Sequence, residues 1–178
     1  KNLGAFGDAG AVCCDDDELY RLLKLIRVHG SAHTYYHELV GGNFRIDALQ
    51  AAVLNVKLDY LETWHEGRRR NAGIYDEMLA DSPVKTPRMA EGNQSIYNQY
   101  VIRVPGDGSQ RDRLKQELAV RGVGSGVYYP LGLHQQQCFA YLGHSPEDFP
   151  ESLRASVESL ALPIYPDLEV SQLQYVVD

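Results

Sequence analysis

An α/β fold is what this sequence predicts, and three observations carry it. Residues 97–104 alternate like a strand, and 123–129 and 160–164 are further short apolar runs. Helical patterns lie between and after them: one from Ser109 to a stop at Gly122, one over 152–159 and one over 170–177. The chain has 178 residues, 44% hydrophobic and 23% charged, which suffices for a sizeable core and is unlike a disordered polypeptide.

Taken in order, the chain opens on Lys1 in a run of small residues with Gly4, Gly7 and Gly10. This reads as a loop passing into a short buried strand, begun in the middle of a motif, so a segment of a longer polypeptide is expected. Asp15, Asp16, Asp17 and Glu18 place acids where a helix N-terminus favours them. Leu19, Leu22, Leu23 and Ile26 follow at helical spacing, with Gly30 as a stop. Residues 31–45, rich in His and Tyr, read as a long irregular loop, and a loop of that length is usually functional. From Ile46 to Leu79 the pattern is helical, with Leu49, Ala52, Val53 and Val56 on one face, continued by Leu58, Leu61 and Trp64. That stretch is too long for one globular helix, so a break is expected near 57–59 or at Gly67, with Pro83 and Pro87 ending it. Ser109 to Asp112 suggests a capping box, before Leu114, Leu118 and Val120.

Composition narrows the function. Seventeen basic against 24 acidic residues leave a formal charge of −7, which argues against coating nucleic acid or an anionic membrane. No apolar run approaches the roughly 18 residues of a spanning helix. Cys13, Cys14 and Cys138 form no Cys-x-x-Cys pair, a pattern that suits a reducing, cytoplasmic setting and buried thiols.

Residue by residue, few features are specific. His29, His33 and His37 recur every four residues, a spacing that presents a metal face on a helix. Gly30 and the loop interrupt that helix and only Glu38 lies nearby, so no metal site is expected. Arg68, Arg69 and Arg70 read as a solvated helix face, with Glu62, Glu66 and Arg70 at i, i+4 spacing. His134, taken alone, is a loop histidine with a satisfied hydrogen bond. The glycines at 4, 7 and 10 match neither a phosphate loop nor a dinucleotide fingerprint. Lys1, taken alone, is an inert exposed amine; a lysine binds a carbonyl covalently only where its neutral amine is available beside one.

Several blocks together resemble a known family. They are Lys1-Asn2-Leu3-Gly4-Ala5-Phe6-Gly7-Asp8-Ala9-Gly10-Ala11, His29-Gly30, and Gly41-Gly42-Asn43-Phe44-Arg45-Ile46-Asp47-Ala48-Leu49-Gln50-Ala51-Ala52. Tyr97-Asn98-Gln99-Tyr100-Val101-Ile102-Arg103, Val127-Tyr128-Tyr129-Pro130, Cys138-Phe139-Ala140-Tyr141-Leu142-Gly143 and Leu160-Ala161-Leu162-Pro163-Ile164-Tyr165-Pro166 continue the likeness in order. The sequence resembles the pyridoxal-phosphate sugar aminotransferases of the DegT/DnrJ type. The resemblance implies fold type I, the aspartate-aminotransferase fold. Residues 1–66 would be the end of the large cofactor-binding domain with an interdomain helix, and 67–178 the small C-terminal α/β domain.

It also implies a site. Lys1 would be the catalytic lysine that binds pyridoxal 5'-phosphate and moves the proton. Asn43 would reach the cofactor phosphate of a neighbouring subunit in a homodimer. Arg45 would meet an anionic group of the substrate, and His134 the sugar, in a wall shared with the loop 31–42. The implied reaction is transamination of a nucleotide-linked keto sugar by glutamate, in amino-sugar or surface polysaccharide biosynthesis. A non-catalytic binding or sensor module, or an aminotransferase acting on a cyclitol, is the alternative. The family usually has Pro-Leu-His where this chain has Gly132-Leu133-His134, so the loop geometry at His134 is expected to differ. A lysine at position 1, and not the histidine of a dehydrating branch, argues for transamination.

Overall fold

The computed structural model describes residues 1–178. Backbone contacts divide the chain into two units, Leu3–Leu61 with Lys1, and Glu62–Asp178 with Asn2. No helix is long and apolar enough to cross a membrane.

In the first unit, residues 1–16 form no regular structure. The short buried strand expected after the glycine run is absent, because a strand needs a neighbour to pair with and none is present; Val12 is 73% exposed. For the same reason the thiols are not the buried ones expected: Cys13 is exposed and Cys14 half-buried, while Cys138 is exposed on a later turn. Helix α1 spans Asp17–Ile26, and the Asp16 side chain accepts from Leu19 N–H at 2.7 Å. The loop after it is not wholly irregular. Strands β1 (Ser31–His33) and β2 (Tyr36–His37) form a small antiparallel hairpin. Its two ends cross at Gly30 and Gly41. Gly30 has φ +72°, and a Cβ there would lie 1.8 Å from Leu39 O; a Cβ on Gly41 would lie 2.5 Å from Gly30 N.

Helix α2 spans Ala48–Leu58, capped by Asp47, and α3 spans Leu61–Met78. The long helical pattern therefore breaks at 59–60, the first of the two expected places. Gly67 stays helical and is buried; it is small because Pro166 passes so close that a Cβ would sit 2.9 Å from its carbonyl oxygen. The apolar face read along α2 is not covered: the helix buries no residue, and Leu49 is 83% exposed.

The second unit builds its own core. Strands β3 (Tyr100–Arg103) and β4 (Ser159–Leu162) pair antiparallel, Tyr100 opposite Leu162 and Ile102 opposite Leu160. Helices α4 (Ser109–Val120), α5 (Pro150–Glu158) and α6 (Val170–Val177) accompany them. The core holds Ala72, Tyr75 and Leu79 from α3 and its end, Ile102, Leu118, Leu160 and Leu173, with Tyr100 in tilted contact with Tyr75, ring centres 4.9 Å apart. Each fully buried apolar side chain of this size contributes on the order of 1.5–3 kcal/mol. The second expected strand, 123–129, is reduced to a single bridge between Gly126 and Ala161, since the chain turns away after one pair. The expected capping box at Ser109 is absent. Gly108, at φ 96°, is the N-cap, and Ser109 donates both N–H and O–H to Asp107. The arginine run is only in part a solvated face: Arg70 is exposed, Arg68 and Arg69 half-buried. Arg68 donates to the carbonyls of Tyr97 and Ile164, Arg70 to that of Pro166, and only Arg69 pairs with an acid, Glu62.

Candidate functional site

Lys1 stands at the head of the glycine loop, exposed, with its amine in no ion pair. The loop behind it is held by α2. Gln50 Oε1 accepts from Phe6 N–H at 2.7 Å, Gln50 Nε2 donates to Asp8 O at 3.4 Å, and Lys57 Nζ donates to Gly4 O. Sequence reasoning passed over Gln50 and Lys57. Their spacing of seven, two helical turns on one face, was the available signal, but it only has meaning once the loop lies against that face.

Asn43 and Arg45 lie just before α2. Asn43 pairs with Val28 in an antiparallel bridge, and Phe44 N–H donates to Arg27 O at 3.0 Å, so the backbone of this block is tied to the end of α1. The Asn43 side chain is exposed. Its Oδ1 accepts from Arg45 Nε at 2.9 Å, which turns the amide N–H₂ outward as a donor. Arg45, also exposed, keeps its terminal guanidinium nitrogens clear of any carboxylate. Together they present a donor-only edge, the chemistry an anionic oxygen needs. His37 Nδ1 lies 3.0 Å from the backbone oxygen of His29.

His134 belongs to the second unit, in a short 3₁₀ turn, Leu133–Gln135. Its Nε2 lies 3.3 Å from Pro146 O and its ring packs on Phe149 with centres 4.8 Å apart. Gly132 allows this fold-back, since a Cβ there would lie 2.6 Å from His134 Cε1 and 2.7 Å from Ser152 Oγ. The departure noted at Gly132 thus has a structural consequence. The neighbouring pocket, about 500 Å³, is lined by Tyr128, Tyr129, Leu133, Gln136 and Ser152 and their neighbours, and His134 is not among them.

Comparison with known proteins places this arrangement in a class. The chain superposes on the crystal structure of DesV from S. venezuelae with a TM-score of 0.94 and 35% identity, covering 100% of this chain and 47% of that one. An aminotransferase structure from Brucella abortus matches with a TM-score of 0.90 at 35% identity, over 99% of this chain and 46% of that one. The class is therefore that of the fold type I aminotransferases. The pattern of the DegT/DnrJ/EryC1/StrS aminotransferase family matches residues 1–178, and the chain belongs to that family. Among curated relatives, a pleiotropic regulatory protein of Geobacillus stearothermophilus is 44% identical over 100% of this chain and 48% of its own. A UDP-N-acetyl-3-dehydro-alpha-D-glucosamine 3-aminotransferase of Acidithiobacillus ferrooxidans is 38% identical over 97% of this chain and 45% of its own. The chain spans about half the length of the curated relatives it matches.

Proposed function

We propose that this chain is the lysine-bearing part of a cytoplasmic pyridoxal-phosphate transaminase that moves an amino group from glutamate to a nucleotide-linked keto sugar. The observation that carries the reading is Lys1: an exposed amine in no ion pair opens a glycine loop, in a chain that matches the family along its whole length. Family membership and the nucleotide-sugar substrate in the relative's name support the substrate class. The residues fit the cofactor. A primary amine suits its aldehyde, and the outward N–H₂ of Asn43 suits a phosphate oxygen.

Pyridoxal phosphate, when bound, supplies the electron sink that makes the amino-donor carbon acidic. The chain's own residues bind and move the proton. Lys1 Nζ would hold the cofactor and, when free of it, would move the proton at the donor's α-carbon. The net transfer would turn glutamate into 2-oxoglutarate and the ketone of the sugar into an amine. Asn43 donates to the phosphate of the partner subunit's cofactor in a homodimer, and Arg45 meets an anionic group of the substrate. With Nε2 directed at Pro146 O, His134 offers Nδ1 as an acceptor for a sugar hydroxyl.

The test uses a full-length protein containing this segment. The wild type is expected to be yellow, to lose its colour with glutamate, and to release 2-oxoglutarate with one member of a panel of nucleotide-linked keto sugars. Lys1→Ala is expected to abolish the colour change and reduce turnover on the order of a thousandfold or more. Retained colour and full turnover in Lys1→Ala would overturn the assignment. An Asn43→Ala variant that is an active monomer with unchanged cofactor affinity would overturn the shared site.

A further inference from the structure

We infer that Gln50 and Lys57 are positioning residues that grip the main chain of the glycine loop and thereby hold Lys1 in place. The inference rests on the Lys1 reading and adds two residues to it. Residues 50 and 57 sit two turns apart on one face of α2. Both reach backbone atoms of the loop: the N–H of Phe6 and the carbonyls of Asp8 and Gly4. A grip on the main chain sets the path of the loop whatever side chains it carries. The loop has no secondary structure, and Phe6 is 81% exposed.

The glycines of the loop match the grip. Gly4 has φ +65°, and a Cβ on it would lie 3.1 Å from Lys57 Nζ; a Cβ on Gly7 would lie 2.9 Å from Gln50 Nε2. Side chains at those positions would push out the two heads that hold the loop. Gln50 is itself fixed, because its backbone N–H donates to the capping Asp47 at 2.8 Å. Lys57 brings a positive charge to a carbonyl, and hydrogen bonds from charged donors are the stronger kind. Lys1 lies three residues from Gly4, so loosening that carbonyl lets the reactive amine wander. Misplacement of a reacting group by about 1 Å can cost on the order of a hundredfold in rate.

The experiment compares Gln50→Leu and Lys57→Met with the conservative Lys57→Arg in a full-length protein containing this segment. Amide exchange over residues 4–8 is measured without cofactor, and cofactor is trapped on Lys1 by borohydride and located by peptide mass. Expected are exchange at least about fivefold faster in Gln50→Leu and Lys57→Met, slower trapping at Lys1 by a similar factor, and recovery of both in Lys57→Arg. Exchange in β3 and β4 should stay unchanged, which reports that the fold survives. Unaltered exchange over 4–8 in both variants overturns the grip. Faster exchange with unaltered trapping overturns the positioning role. Trapped cofactor absent from Lys1 in the wild type overturns the Lys1 reading instead, and the exchange result still decides the grip.

Discussion

The two units of this chain solve the burial problem differently. Glu62–Asp178 encloses Tyr75, Tyr100, Ile102, Leu160 and Leu173 almost completely, whereas Leu3–Leu61 buries only one large apolar side chain, Leu25. The first unit is held by backbone crossings and polar ties: the hairpin ends at Gly30 and Gly41, the Asp16 and Asp47 caps, and the reach of Gln50 and Lys57 to the loop. Tyr35 is 90% exposed on its hairpin. Of the residues proposed for chemistry, Lys1, Asn43 and Arg45 belong to this less consolidated unit, and His134 to the other. Active-site elements are commonly drawn from regions of low local stability.

The largest expected effect is in hydrogen exchange. Amides of β3, β4 and the second half of α3 should exchange about a thousandfold or more slowly than those of α2, measured by mass spectrometry on the 178-residue chain. Equal protection would erase the contrast. Next come paired truncations. Leu160→Ala, fully buried in β4, should cost about 3 kcal/mol in denaturant unfolding. Leu49→Ala, on the open face of α2, should cost less than about 0.5 kcal/mol.

The pH dependence sharpens the comparison from the other side. Tyr75, fully buried with its hydroxyl donating to Pro163 O at 3.0 Å, has its pKa pushed up to about 12, chiefly by burial and then by Tyr165. Tyr100 moves the same way, through burial and its hydrogen bond to Asp76. Their unfolded pKa lies near 10, so the folded state favours the neutral phenol. The stability this provides is complete below pH ~10 and is lost as pH rises through the folded value, by about 3 kcal/mol for Tyr75. Urea titrations at pH 8 and pH 11 should show the loss, and Tyr75→Phe should shrink it. An identical decline in that variant would locate the cause elsewhere. The smallest effect is local: Asp16→Ala should cost about 1 kcal/mol, seen as fraying of α1 with β3 and β4 unchanged.

Much of the secondary structure was legible because its causes are local. The cap and acids before α1, the break between α2 and α3, the stop at Gly122 (φ +75°) and the bounds of α6 depend on neighbours within a few residues. The family was legible for a different reason: specific blocks recur in order along the whole chain. The failures share a cause as well. Residues 123–129 have strand composition, but one bridge to Ala161 is all the partner they find. The Arg68 to Arg70 run reads as solvated by its charge, yet two of the three guanidinium groups meet carbonyls as far as 96 positions away.

The sequence by itself determined where the helices lie, the α/β class and the family, because periodicity and motif order are written in adjacent residues. Only the tertiary structure decided that Asn43 turns its amide outward, that His134 folds back on Phe149 beside Gly132, and that Gln50 and Lys57 grip a loop 44 and 53 positions distant. Those arrangements depend on which segments meet in space. A hydrogen bond between distant residues leaves no periodic trace in the chain that makes it.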